Sequence, residues 1–417
     1  MPFDRDKLRQ MRSALSHITV LDLSRVLAGP WAGQVLADLG ADVIKIERPG
    51  SGDDTRRWGP PFLRDMQGND SADAAYYLCA NRNKKSVTVD FTTTEGQSIV
   101  QGLARTSDVV LENFKVGGLK AYGLDYESLR ALNPRLVYCS ITGFGQTGPY
   151  APRAGYDLLV QAMGGLMSIT GRNDGEPGAG PQKAGVAVTD ILTGLYAAIG
   201  ILAALAHRDR TGVGQHIDLG LLDVQVACLA NQAMNYLVSG SAPRRSGNAH
   251  PNLVPYQDFP TSDGYMIIAV GTDAQFARLC AVLGLGELAR DPNYRDNKQR
   301  VDNRRELIDK LSAVTVTHPT AHWVAALECV GVPAGPINTL EAVFNDPQIR
   351  ARAMRIDLPH PVAGTVPLVA NPLRLSETPV TYRSAPPTLG AHTREVLAGR
   401  LALSAADIEK LHEKGII

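Results

Sequence analysis

From Ile18 onward the chain alternates short apolar runs with helical patterns: ITVLDL, the turn SRVLAGP, the helix WAGQVLADLG, then ADVIKIE. Pro30 stands where a helix can begin, because the first turn needs no backbone donor, and Gly40 stands where one can end. The unit reads as βαβ. The alternation recurs with SVTVDF, the helix TEGQSIVQGLARTS, DVVLENF, a helix around YESLRALN, and LVYCSIT. Strands and helices interleaved at this spacing predict an α/β fold with a mostly parallel sheet covered by helices.

After Gly143 the pattern changes. A glycine-rich stretch, GGLMSITGRNDGEPGAGPQ, leads into a long apolar helix from Ile191 to about Arg208. The region from about Leu221 to Val332, with a helical NQAMNYLVSG and a strand at DGYMIIAVG, reads as a smaller α+β domain. Beyond Val332 the chain is punctuated by Pro333, Pro336, Pro361, Pro367 and Pro372. The last helix opens at Ser404 with Asp407 three residues on, a start resembling a capping box.

With 42 Lys+Arg against 42 Asp+Glu, the 417-residue chain has no net charge and lacks the basic footprint of a nucleic-acid binder. Five cysteines without a CxxC pair argue against zinc, iron–sulfur and redox-dithiol sites and fit a reducing cytoplasm. MPFDRDKLRQMRSAL has no apolar core, so neither a signal nor a transit peptide is expected. The apolar stretch Ile191 to Ala206 falls short of the roughly 20 residues that span a bilayer, and it reads as a buried helix.

Several features could carry chemistry. GFGQTG, Gly143 to Gly148, matches a dinucleotide fingerprint, but the PYAPRAG after it cannot open the helix such a site needs, so a turn is expected. SRVLAGP feeds a helix N-terminus that favours an anion, and Arg48 ends the next strand where the phosphate of an adenosine moiety would lie. NRNKKS, with Arg48, Lys120 and Arg153, supplies cations for a polyanionic small molecule, or else is a solvated loop. His318 and His322 share i, i+4 spacing without a third ligand, and no metal is expected. Asp190, immediately before the apolar helix, is either its N-cap or a carboxylate nucleophile for an activated acyl group.

The stretches RVLAGPWAGQVLADLGADVIKIERPGSGDDTR, NRNKKS, LENFKVGGL, SITGFGQTGPY, GYDLLVQAMGGLMSITG, GVAVTDILTGLYAAIGILAAL and APPTLGAHTREVL together resemble the family III CoA-transferases, from about Ile18 to Leu397. Within the family, LLDVQVACLANQAMNYLVSG, NLVPYQDFPTSDGYMIIAVG and GVPAGPINTL look most like members that pass CoA from succinyl-CoA to glutarate or hydroxymethylglutarate. Itaconate and mesaconate transferases share the scaffold. The resemblance implies Asp190 as the catalytic carboxylate, acting through aspartyl anhydride and aspartyl-CoA thioester intermediates. It implies no metal or organic cofactor, with coenzyme A as substrate.

For CoA, the family pattern carries over to Val26, Leu27, Ala28, Arg48, Val89, Asn113, Phe114, Gly118 and Tyr156. Formyl-CoA transferases have Gln where this chain has Leu27, which disfavours formyl-CoA and oxalate. They have Arg at Ala121, a role that neighbouring Lys120 would take. Their tetraglycine lid is replaced by Gly247, Asn248 and His250, which become candidates for holding the acceptor acid. The related 2-methylacyl-CoA racemases use a His-Asp pair where this chain has Tyr156-Asp157, and Tyr is a poor base near neutral pH. The family fold implies an intertwined, ring-like homodimer with a large Rossmann-like domain, here residues 1–220 and 336–417, and a small domain, residues 221–335. The partners implied are an acyl-CoA and a carboxylic acid, with neither nucleic acid nor membrane.

Overall fold

The computed structural model describes residues 13–417. The N-terminal segment considered for targeting lies largely outside them. The chain divides into two units, one formed by the described residues up to Gly165 with Ala184–Ala233 and Gln348–Ile417, the other by Leu166–Lys183 and Met234–Pro347. The boundaries expected from sequence, 220/221 and 335/336, thus differ from those of the units, and the glycine-rich stretch from Leu166 joins the second unit.

The first unit is built on six strands: β1 (Thr19–Asp22), β2 (Asp42–Glu47), β3 (Lys84–Thr88), β4 (Val109–Glu112), β5 (Val137–Thr142) and β6 (His216–Gly220). Their order is β3-β2-β1-β4-β5-β6 and every pairing is parallel. This is the doubly wound order of Rossmann-like sheets. Such a sheet is covered on both faces, which is why its strands read as unbroken apolar runs.

Alternate residues of each strand serve opposite cores. Val20, Val43 and Val109 pack with α1 (Ala28–Asp38), through Ala32 and Leu36, and with Ala197, Ile201 and Leu205 of the long helix Val188–Thr211. Leu21, Ile44 and Val110 face the other way, against Ile99 and Leu103 of α2 (Thr94–Arg105) and Leu129 of α3 (Tyr126–Leu132). Thr93 caps α2 by accepting the Gly96 N–H at 3.1 Å. Next along the chain come α4 (Asp157–Met163) and α5, the helix Val188–Thr211. By length and composition α5 is apolar enough to cross a bilayer, and its Ala197, Ile201, Ala204 and Leu205 belong to the core under the sheet.

The chain's last segment returns to this core. Val396 and Leu397 of α6 (Thr393–Leu401), Ile408 of α7 (Ala405–Glu413) and Ile416 pack beneath β3 and β2. Arg383 donates to the carbonyls of Ala37 in the last turn of α1 and of Gly40 and Ala41 just beyond it, and the Asp90 N–H donates to the Ile416 carbonyl at 2.7 Å. The Ser404 hydroxyl accepts from Asp407 N–H and donates to its carboxylate.

The second unit carries a three-stranded antiparallel sheet in the order Ala334–Pro336, Gly264–Ala269, Tyr256–Thr261. Helices Asp273–Val282, Arg304–Thr315 and Thr320–Cys329 bury Phe276, Leu307 and Trp323 against Phe259, Met266 and Ile268 of that sheet. It is the small α+β unit that the strand and helix patterns anticipated.

Candidate active site

The strand order reverses between β1 and β4, so the loops leaving their carboxyl ends diverge and open a crevice. The two loops are clipped together: the Arg25 N–H donates to Asn113 Oδ1 at 2.8 Å, and Asn113 Nδ2 donates to the Arg25 carbonyl at 2.6 Å. Beneath them lies a fully buried ionic core. Lys84 Nζ donates to Asp22 (3.0 Å), to the Pro30 carbonyl (2.8 Å) and to Asn81 Oδ1 (3.0 Å). Lys45 Nζ reaches Asp53 at 2.9 Å and the Ser24 carbonyl at 2.7 Å. Charges buried in this way persist only because each is paired and hydrogen-bonded.

Among the cavities that open at this end of the sheet, two share walls. The smaller, about 170 Å³, is lined by Val26, Leu27, Ala28, Asn113, Tyr156 and Asp190 among others. The larger, about 370 Å³, is bordered by Arg48, Arg57, Val89 and Gly118. Arg25, Phe114 and Lys115 belong to the walls of both, with the Arg25 guanidinium 5.0 Å over the Phe114 ring.

Asp190 is not the N-cap of its helix. α5 begins at Val188, its N-cap is Ala187 without a side-chain cap, and Asp190 is in the first turn. The cap comes from Asp157 at the start of α4, whose Oδ1 accepts the N–H groups of Thr189 (2.8 Å) and Asp190 (3.3 Å). Gln161 Nε2 holds the other oxygen of Asp157 at 2.5 Å. The Asp190 carboxylate itself accepts no hydrogen bond from the described residues. Burial, with the neighbouring charge of Asp157, pushes its pKa up to about 7. A partly buried carboxylate without donors, at a cavity wall, is basic enough to attack an acyl carbonyl and free to do so.

Of the residues expected to meet CoA, Val26, Leu27, Ala28, Asn113, Phe114 and Tyr156 share the smaller cavity with Asp190, and Arg48, Val89, Phe114 and Gly118 border the larger. Lys120 borders neither. Exposed Lys120 sits on the turn Lys120–Tyr122, whereas Lys115 lines both cavities.

The NRNKKS cations are not free for a ligand. Arg82 is tied to Asp38 at 2.5 Å and Lys84 to Asp22, while Lys85 pairs with Asp42 and Glu395. His318 precedes the helix Thr320–Cys329, so the helical spacing with His322 is not realised, and the two rings stack at 4.3 Å. Gly247, Asn248 and His250 lie in the second unit, where His250 Nδ1 accepts the Asn252 N–H at 3.0 Å and Arg304 donates to the His250 carbonyl.

Sequence reasoning missed Tyr76. Burial, with the charge of Asp190, pushes its hydroxyl pKa up to about 12. Nothing in the local pattern YYLCANRN signals this environment, which depends on tertiary packing.

Asp190 thus sets a carboxylate of raised proton affinity at a cavity wall of a doubly wound α/β protein. The chain belongs to CoA-transferase family III, whose profile matches residues 15–393, and it is a CoA-transferase. It is 56% identical over 384 residues to a succinate–glutarate CoA-transferase of Agrobacterium fabrum, covering 92% of this chain and 95% of that one. The succinyl-CoA:glutarate CoA-transferase of Mus musculus is 46% identical over 403 residues, covering 97% and 90%. A crystal structure of a CAIB/BAIF family protein from Brucella suis superposes with a TM-score of 0.83 at 52% identity, covering 94% of this chain and 100% of that one.

Proposed function

We propose that this CoA-transferase moves CoA from succinyl-CoA to glutarate, with Asp190 as the acyl-accepting group. The observation that carries the reading is the Asp190 carboxylate, raised in pKa to about 7 and left without donors at the wall of the smaller cavity. The acceptor assignment draws on the glutarate transferases named above.

Asp190 attacks the thioester carbonyl, the C–S bond breaks, and CoA leaves as thiolate while a mixed anhydride forms. The thiolate then attacks the aspartyl carbonyl of the anhydride, giving an aspartyl-CoA thioester and releasing succinate. Glutarate attacks that thioester, forming a second anhydride and freeing the thiolate again. Attack on the glutaryl carbonyl yields glutaryl-CoA and restores Asp190. Each step exchanges one activated acyl for another, so the chemistry calls for no metal or organic cofactor. The protein's part is to keep water from the anhydrides and to offer N–H donors to each oxyanion.

In this reading the nucleotide end of CoA occupies the larger cavity, with Arg48 at the ribose phosphate. Phe114, common to both cavities, carries the pantetheine towards Asp190. The distal carboxylate of the acceptor is assigned to the Gly247 to His250 loop. His250 Nδ1 is an acceptor, and burial with nearby Arg304 lowers the ring's pKa, so Nε2–H is offered as a neutral donor. The working form is a homodimer: Leu195, Tyr196, Ile199 and Leu202 on the outer face of α5 are exposed, Ile199 by 61%, and need a cover. All five cysteines are free thiols, in keeping with the cytoplasm as its compartment.

The test is transfer itself. Wild type should convert succinyl-CoA and glutarate to glutaryl-CoA, and hydroxylamine added with acyl-CoA should inactivate it by displacing CoA from the aspartyl thioester and leaving Asp190 as its hydroxamate. Asp190→Ala should be folded and inactive. Turnover retained in that variant would overturn the mechanism, and a preference for mesaconate, itaconate or hydroxymethylglutarate would overturn only the acceptor.

A further inference from the structure

We infer that the buried Lys45–Asp53 ion pair is a positioning device for the transfer site: it holds Val26 in the left-handed conformation and thereby aims the first turn of α1 at the cavity of Asp190. The inference rests on the proposal that this cavity is where CoA is transferred.

Val26 has φ of 71°. A β-branched residue rarely adopts that conformation, and it persists only where the surroundings enforce it. The enforcement is visible bond by bond. Both carboxylate oxygens of Asp53 accept the Val26 N–H, each at 3.3 Å. Asp53 is fixed in turn by the Thr55 N–H (3.0 Å), the Thr55 hydroxyl (2.8 Å) and Lys45 Nζ (2.9 Å). The same ammonium grips the Ser24 carbonyl at 2.7 Å. One cation therefore ties down the chain on both sides of Arg25, directly before it and through Asp53 after it. Against the upward push of burial, Lys45 and Thr55 keep the Asp53 carboxyl ionised, with a pKa of about 2, so the acceptor is present at any working pH.

Both side chains are fully buried, so they act through Val26 and not on substrate. What they set is the direction of the next residues. Among the described residues nothing accepts the N–H groups of Leu27 and Ala28, which border the cavity shared with Asp190. With Val26 at negative φ the chain would enter α1 along a different path, and these donors would not keep their place beside an acyl oxygen.

The test is a rescue. Asp53→Ala with Lys45→Met removes both charges and the acceptor of the Val26 N–H together, and kcat should fall about tenfold or more with little change in KM for succinyl-CoA, as expected of a misaimed donor. Glycine reaches φ near 71° without enforcement. Val26→Gly has its own turnover, and adding the two substitutions to it should cost far less than adding them to wild type. Equal losses in the two backgrounds would overturn the inference. Should the double variant fail to fold, Val26→Pro, whose ring forbids positive φ, decides: a loss of kcat is expected, and wild-type turnover would overturn the inference. Failure of the underlying proposal is seen separately, as absence of transfer in the wild type.

Discussion

The Asp157 carboxylate accepts the backbone N–H of Asp190 at 3.3 Å, so one acid caps the helix that carries the other. The arrangement fixes Asp190 in space and raises its affinity for a proton. Converting Asp157 to Asn keeps a capping oxygen and removes the charge. The Asp190 pKa should then fall, and the acid limb of the kcat/KM profile should move below its wild-type position near pH 7. A limb that does not move would mean that Asp157 has no electrostatic part in transfer.

Asp190 also governs stability in a direction opposite to that of most carboxylates. Its folded pKa of about 7 lies above the ordinary 3.8, so between those values the folded state binds more protons than the unfolded state. Stability is therefore lost as pH rises through this window. Asp190→Asn should unfold later than wild type at about pH 8, by roughly 1–4 kcal/mol, with the gap closing near pH 4. Denaturant melts of both proteins at the two pH values check this.

Arg48→Ala should weaken CoA more than dephospho-CoA, because the proposed partner of this exposed guanidinium at the larger cavity is the ribose phosphate. Titration calorimetry with both ligands is the measurement. Equal losses would place Arg48 elsewhere on the nucleotide.

Succinate and glutarate should be far better acceptors than butyrate and valerate, because a second carboxylate needs a partner once it leaves water. His250→Ala should narrow the gap. Specificity constants for the four acids decide both points, and equal use of the monoacids would sink the dicarboxylate assignment.

Ile199→Asp places a charge on the exposed apolar face of α5 and should shift the protein from dimer towards monomer in light scattering. A dimer unaffected by this change would be built on another surface.

The sheet was legible because its central strands are covered on both faces and so write apolar runs into the sequence, as VVL in β4 and VYCSIT in β5 do. The cavity-lining residues that were named in advance, Val26, Asn113 and Tyr156 among them, came through family resemblance, not through spacing. What escaped was long-range. Arg82 and Lys84 look like solvated cations until Asp38 and Asp22 fold against them, and neither acid is near them in sequence. Asp190 looks like a cap because the residue that does the capping, Asp157, lies on another helix. The clamp on Val26 was hidden for the same reason.

The return of the final segment to the first unit has a consequence for how the protein is made. Strands β1 to β6 are all synthesised by Gly220, yet the face under β3 and β2 stays uncovered until Val396, Leu397, Ile408 and Ile416 leave the ribosome. Residues 234–347, the main part of the second unit, emerge well before that. A nascent chain thus carries a half-clad parallel sheet for as long as it takes to translate an entire smaller unit, the interval in which its bare apolar surface most needs a chaperone.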